Sequence, residues 1–140
     1  MNEKPVRILG IDPGKKRIGL AIGDSLLKLA TGYRTLEYKN TEKFIADLES
    51  IVSEEDIGLV VMGLPLNMDG SEGEAANFSR LLAELIKRKL KLNVEFMDER
   101  LTTEEAIRQI HQADKKVGKS KKTIDMLSAA IILQAYLDKS

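Results

Sequence analysis

Four acidic residues stand at the ends of the most apolar segments of this chain. Asp12 follows the segment VRILGI, Asp98 and Glu99 follow VEFM, and Asp125 lies near the start of the apolar segment TIDMLSAA. A charge beside a buried segment is costly unless it is paired or used in chemistry. If these segments meet at one edge of a sheet, their carboxyl oxygens form a site that suits Mg²⁺ or Mn²⁺.

A cluster of this kind predicts hydrolysis of phosphodiester bonds. Two divalent ions held by the acids would bind a scissile phosphate, activate a water molecule and stabilise the leaving oxygen. Taken singly, each acid also has a structural explanation, because Asp12 begins a favourable DPG turn, Asp98 and Glu99 can pair with Arg100, and Asp125 suits the start of a helix. Their joint placement favours the metal site.

The composition excludes several other kinds of site. The 140 residues include no cysteine and one histidine, His111, which excludes thiolate nucleophiles, disulfides, zinc–thiolate sites and sites built from several histidines. Hydrophobic residues make up 43% and charged residues 31% of the chain, which is typical of one globular domain, expected over residues 1–140. The N-terminus lacks the apolar core of a signal peptide, and the run from Ile124 to Leu137 is too short to span a bilayer, so we expect a cytoplasmic protein.

Basic residues are clustered although the formal net charge is zero. Lys15, Lys16 and Arg17 follow the first acid closely, and Arg100 follows the acidic pair. A further cluster lies in ADKKVGKSKK, whose Gly and Ser are typical of a flexible loop, and consists of Lys115, Lys116, Lys119, Lys121 and Lys122. Most such runs are solvated surface, but beside a carboxylate cluster they predict contacts to nucleic-acid phosphates.

The segment GLPLNMDGSEGE predicts a substrate-binding loop. It follows a buried strand and leads into a helix, and ligands of α/β proteins bind at such places. Asn67, Ser71 and the backbone amides of Gly70 and Gly73 are its candidate contacts. Turn and cap requirements alone would explain Ser71 and Gly73.

Apolar runs and turn residues predict an α/β fold that positions these side chains. Val6–Ile11 and Ile18–Ile22 are separated by a turn and are expected to form a hairpin. The further predicted elements are a strand within Leu29–Tyr38, a helix capped by Thr41, a strand over Ile57–Gly63, a long helix with a Ser71/Glu74 capping box, a strand over Val94–Met97, a helix from Thr102 to about His111, and an apolar helix over about Lys122–Leu137. Three antiparallel leading strands followed by βαβαβ give a mixed five-stranded sheet with helices on both faces.

Four stretches of the chain resemble the signature stretches of YqgF (RuvX) proteins. They are GIDPGKKRIGLAIGD, VVMGLPLNMDGSEG, FMDERLTTEEA and KKTIDMLSAAIILQAYL, in the order and spacing of that family. The resemblance covers about Val6 to Leu137. It implies a ribonuclease-H-like fold, and a nuclease described both as a Holliday junction resolvase and as a pre-16S ribosomal RNA nuclease in ribosome biogenesis.

Carried over to this sequence, the resemblance implies that Asp12, one acid of the DER stretch and Asp125 are the metal ligands. Glu99 is preferred within DER and Asp98 is the alternative. Resolvases of the RuvC type carry an acid on the fourth strand, whereas that strand is VVMGLP here, so the acid after the fifth strand would have to replace it.

We therefore expect a metal-dependent endonuclease that binds two Mg²⁺ or Mn²⁺ ions. Its expected function is processing of the 5′ end of precursor 16S rRNA. This prediction has three alternatives, of which the third is the weakest. Branched DNA is the second candidate substrate. A non-catalytic RNA-binding assembly factor would keep the fold and the basic loops. A nucleotide-binding module, suggested by the GIDPGKKRIG hairpin, would need a second lobe for which 140 residues leave no room.

Overall fold

The computed structural model describes residues 4–99 and 121–139, and a five-stranded mixed sheet is their centre. The strands are β1 (Arg7–Asp12), β2 (Arg17–Asp24), β3 (Ala30–Glu37), β4 (Ile57–Leu64) and β5 (Val94–Asp98). Their order across the sheet is β3-β2-β1-β4-β5. The first three strands pair antiparallel, whereas β4 is parallel to both β1 and β5. The predicted hairpin and βαβ arrangement are confirmed.

Three helices are described, namely α1 (Thr41–Glu55), α2 (Glu74–Leu90) and α3 (Lys121–Lys139). The expected helix from Thr102 to about His111 lies outside the described residues. The predicted helix over about Lys122–Leu137 is confirmed as α3, which begins at Lys121. The last two lysines of the basic cluster, Lys121 and Lys122, therefore lie in this helix and not in a loop. No helix in the part of the chain that the structure describes is long and apolar enough to cross a bilayer.

Both predicted caps of the first two helices differ from the structure. Asn40 caps α1, where its side-chain oxygen accepts from the Lys43 amide at 2.8 Å, and Thr41 is the first helical residue. Asn accepts such a bond at least as well as Thr does. The N-cap of α2 is Gly73, which makes no side-chain bond, so the predicted capping box at Ser71 is wrong.

Alternation along the strands divides the core into two layers. Successive side chains of a strand point to opposite faces of the sheet. Leu9 and Ile11 of β1 lie in the layer covered by α1 and α2, whereas Ile8 lies in the layer covered by α3. The residues that share the face of Ile8 are therefore the ones that meet α3, and Asp12 is among them by its even spacing.

Candidate active site

A column of glycines allows α3 to lie close to the sheet at the end of β1. Gly19 of β2 is the register partner of Asp12. A Cβ atom on Gly19 would collide with the carbonyl oxygen of Asp125, and one on Gly63 of β4 would lie 2.9 Å from Cδ1 of Ile132. Only glycine permits such close approach, so these residue types bring Asp125 of α3 beside the last residue of β1.

Asp12 is the most perturbed acid of this region. Burial, together with the smaller effect of the negative charge of Asp125, raises its pKa from 3.8 to about 7. A hydrogen bond with the carboxyl group of Glu99 opposes the rise, because it stabilises ionised Asp12. Asp12 as a whole residue is partly exposed, whereas its carboxyl group is largely desolvated by the surrounding protein. Three acids from three elements therefore interact at one place.

Strand alternation separates the two acids of the DER stretch. Met97 packs in the layer covered by α3, and Phe96 packs in the opposite layer. Glu99 follows the face of Met97, and its carboxyl group lies 3.2 Å from the position of a Cβ on Gly63. Asp98 belongs by alternation to the face of Phe96. The structure thus brings the carboxyl group of Glu99 to Asp12. The role of Glu99 as a metal ligand stays a prediction.

Asp125 is held by an ion pair. Nε of Arg17 donates to Oδ2 of Asp125 at 2.7 Å, and the two side chains are 30% and 18% exposed. The sequence interpretation assigned Arg17 to phosphate contacts and missed this pair. The signal was present, since Arg17 and Gly19 are two residues apart on one strand and must share the face of α3.

The donor chemistry of the three acids fits a hard divalent cation, which prefers carboxylate oxygens. In the described part of the chain, however, no group of three Asp, Glu, His or Cys side chains is already gathered as a metal site. Arg17 engages one oxygen of Asp125, and Glu99 bonds directly to Asp12. The burial of Asp12 beside Asp125 disfavours the ionised form of Asp12, and a bound divalent cation would offset that cost.

The loop after β4 lies at the same edge of the sheet as Asp12, because β1 and β4 are parallel. Its polar groups bond mostly within the loop. Asn67 Nδ2 donates to Ser71 Oγ at 3.0 Å, Ser71 donates through N and Oγ to Asp69 Oδ1, and the Gly70 amide donates to the Asn67 carbonyl. The candidate contact at the Gly70 amide is therefore used inside the loop.

The described lysines that the sequence predicts as phosphate contacts are exposed, and their recorded ion pairs are weak. Lys15 pairs with Glu74 at 3.0 Å, and both side chains are largely exposed, so the pair adds little stability. Lys16 is exposed. Nζ of Lys122 lies 3.8 Å from Oε1 of Glu37. The expected contacts Arg100, Lys115, Lys116 and Lys119 lie outside the described residues.

Solved structures of low sequence identity share the fold. RuvC of T. thermophilus in complex with a Holliday junction substrate matches with a TM-score of 0.62 at 12% identity, covering 96% of this chain and 94% of that chain. The fowlpox virus resolvase in complex with Holliday junction DNA matches with a TM-score of 0.60 at 13% identity, covering 96% and 98%. The predicted ribonuclease-H-like fold is confirmed.

Curated relatives match at much higher identity. A protein of Clostridioides difficile, named "Putative pre-16S rRNA nuclease", is 42% identical over 132 residues, which are 94% of each chain. A protein of the same name from Myxococcus xanthus is 41% identical over 95% of this chain and 88% of its own. The family model RuvX, described as Holliday junction resolvase, matches residues 6–139. The predicted enzyme class, a nuclease, is confirmed, and the chain belongs to the RuvX family.

Proposed function

We propose that this chain is a metal-dependent endonuclease that hydrolyses phosphodiester bonds in structured nucleic acid. Asp12, Glu99 and Asp125 hold Mg²⁺ or Mn²⁺ in a single domain over residues 1–140. The observation that carries the proposal is the interaction of a buried Asp12 carboxyl group with the other two acids. A purely structural cluster of three acids would destabilise the protein without compensation.

Divalent cations held by these acids would supply a Lewis acid for the scissile phosphate and would lower the pKa of an attacking water. The chain itself supplies the charge and the rigidity. Asp12 at the end of β1 and Glu99 after β5 are fixed by strand pairing, and Asp125 is fixed by the packing of α3 on Gly19. Because each acid is held by a separate packed element, the site is organised before substrate arrives.

Lys15 and Lys16 extend from the turn after Asp12 and are exposed. We propose that they bind substrate phosphates together with Lys121 and Lys122 of α3. Asn67 and Ser71 of the loop after β4, and Arg100, Lys115, Lys116 and Lys119, are further proposed contacts. Phosphate contacts fix the position of the substrate but carry little sequence information. We therefore expect the shape of the nucleic acid to select the cleavage position.

The proposed substrate is precursor 16S rRNA, cut at its 5′ end. Its support is the name shared by the relatives that are about 40% identical over nearly the whole chain. A four-way DNA junction is the second candidate, because the family model is described as Holliday junction resolvase and the matching structures include junction complexes.

The test is a side-by-side cleavage assay with precursor 16S rRNA and a four-way DNA junction, with Mg²⁺, with Mn²⁺ and with EDTA. We expect cation-dependent cuts in the RNA that disappear in Asp12→Asn. Glu84→Gln, on the exposed face of α2, is the matched control and is expected to keep wild-type activity. If only the four-way DNA junction is cut, branched DNA and not precursor 16S rRNA is the substrate. Tight binding without a cut in either nucleic acid would favour the non-catalytic assembly factor.

A further inference from the structure

We propose that residues 25–29, the turn between β2 and β3, form a contact surface through which two copies of this chain associate as a symmetric dimer. We call this segment the leucine turn, because Leu26, Leu27 and Leu29 lie in it. This association is independent of the proposed nuclease activity.

The leucine turn concentrates exposed apolar surface at one end of the molecule. Leu26, Leu27 and Leu29 are 71%, 69% and 67% exposed. Val6, whose carbonyl accepts from the Ser25 amide, is also exposed. Within residues 4–99 and 121–139, only two other large apolar side chains are exposed. Single exposed apolar residues are ordinary, but a contiguous group of them marks an interaction site.

Hydrogen bonds hold the leucine turn in one conformation. Oδ1 of Asp24 accepts from the amides of Leu26 and Leu27 at 2.9 and 2.6 Å. Nε2 of Gln134, on α3, donates to the carbonyl oxygen of Lys28 at 2.9 Å. A partner therefore meets leucines that are already ordered, and binding avoids the entropic cost of ordering them.

A cavity of about 370 Å³ lies beside the turn. Leu27 and Leu29 form part of its wall, together with Ile22 and Tyr33, whereas Leu26 does not line it and is the most exposed of the three leucines. A projecting leucine and a partly apolar recess therefore lie side by side, and together they form the association surface. Two copies related by a two-fold axis can each insert Leu26 into the recess of the other, which is the self-complementarity that such a dimer requires.

The charge of the association surface favours a second copy over nucleic acid. Arg7 and Lys28 are balanced by Asp24 and Glu55, so these charged residues of the cavity and the turn sum to zero. Arg7 is bound to Glu55, whose carbonyl oxygen and Oε1 accept from its guanidinium at 2.6 and 2.8 Å. Two neutral surfaces do not repel each other when they meet. A surface for nucleic acid would instead need a net positive charge.

The area of the leucine turn fits a weak dimer. At the observed exposures its three leucines offer roughly 200–300 Å² of apolar surface per copy. A standard interface buries about 800 Å² per partner and has an apolar core with a polar rim. The leucines therefore suffice for the core of a small interface, and we expect a dissociation constant on the order of 10–100 µM.

This dimer leaves both candidate active sites free. Arg7, the first residue of β1, is the register partner of Asp24, so the leucine turn lies at the edge of the sheet where β1 begins. Asp12 lies at the other end of β1, about 17 Å away along the strand. The two sites of the dimer therefore remain open to substrate.

The experiment is sedimentation velocity of the full-length protein in EDTA, from about 1 to 500 µM. We expect a monomer at the lowest concentration and a dimer at the highest. Leu26→Gln should raise the dissociation constant at least about tenfold, and Leu29→Gln is a second variant with the same expected direction. Leu81→Gln, at a 51% exposed position of α2, removes a leucine outside the association surface and should leave the dissociation constant unchanged.

The absence of cysteine from the sequence allows a direct test of the pairing. Thr31 lines the cavity, so a Leu26→Cys chain mixed with a Thr31→Cys chain should form a mixed disulfide dimer in a glutathione redox buffer. Intact mass spectrometry identifies this species. A Leu81→Cys chain mixed with the Thr31→Cys chain should form much less of it.

A chain that stays monomeric at about 500 µM would overturn the proposed dimer and leave a different protein as the occupant of the surface. A dimer that both Leu26→Gln and Leu29→Gln leave intact would place the interface elsewhere. Association that continues beyond the dimer would contradict a two-fold contact. If Leu26→Gln weakens RNA binding in fluorescence anisotropy and leaves association unchanged, the turn is a nucleic-acid contact and the dimer assignment is wrong.

Discussion

Replacing Asp12 with Asn should make the metal-free protein more stable at neutral pH, although it removes a proposed catalytic acid. Burial, assisted by the charge of Asp125, raises the pKa of Asp12 from 3.8 to about 7 in the folded protein. In the unfolded chain the carboxyl group of Asp12 has its ordinary pKa of 3.8. Folding therefore opposes the ionisation of this side chain.

The sign follows from proton binding. Below pH 3.8 the group is neutral in both states and its full contribution to stability is present. Between pH 3.8 and about 7 the unfolded chain releases the proton first, so the stability of the wild-type protein falls as pH rises. One pKa unit corresponds to about 1.36 kcal/mol, so the rise corresponds to about 4 kcal/mol. Partial contact of Asp12 with solvent and screening of the Asp125 charge reduce this, and we expect about 2–4 kcal/mol.

The assay is urea unfolding of wild type and Asp12→Asn in EDTA at several values between pH 4 and 8. The difference between their free energies of unfolding should shift in favour of Asp12→Asn by about 2–4 kcal/mol across this range. Mg²⁺ at pH 8 should stabilise wild type selectively, because only wild type keeps the full set of acids. Glu84→Gln is the control and should show no such shift. If the difference in free energy of unfolding between wild type and Asp12→Asn stays constant from pH 4 to 8, the burial of the Asp12 charge is refuted.

Three further outcomes are expected. Glu99→Gln should lower the cleavage rate by about 100-fold or more in a single-turnover assay, whereas Asp98→Asn should retain at least a tenth of wild-type activity, because only Glu99 faces Asp12. Gly19→Ala should cost about 1–3 kcal/mol in urea unfolding, because its Cβ collides with the backbone of α3. Replacing Lys15 and Lys16 together with Gln should reduce the slope of log K against log salt by about 1–2, measured by fluorescence anisotropy with RNA in EDTA.

Matched variants give these outcomes their meaning. Gly58→Ala, whose Cβ would meet only the side chain of Val6 at 3.2 Å, should be tolerated, and an equal loss there would show that the Gly19 result is not specific to α3. Asp98→Asn as damaging as Glu99→Gln would contradict the assignment of faces. An unchanged salt slope would remove the two lysines from the interface.

Much of the fold could be predicted from the sequence because its signals are local. Short β-branched runs such as VRILGI form strands, and the DPG turn beginning at Asp12 joins the first two of them into a hairpin. The helical spacing of apolar residues predicts α1 and α2, of which Leu48 and Ile86 are buried members. Cap identity was less predictable, since Ser71 bonds to Asp69 in the loop instead of capping α2. Because Ser71 has several possible hydrogen-bond partners nearby, the conformation of the folded loop decides which partner it bonds.

The candidate site divides in the same way. The sequence by itself determined that acids stand at the ends of β1 and β5 and near the start of α3, and that glycines occur where a helix could approach. Only the tertiary structure decided that Glu99 rather than Asp98 meets Asp12, because alternation gives opposite faces to neighbours but does not say which face α3 covers. It also decided that Arg17 binds Asp125 across 108 positions of sequence. Desolvation of a carboxylate and the partner that compensates it depend on every element packed around the group, and no local pattern contains that information.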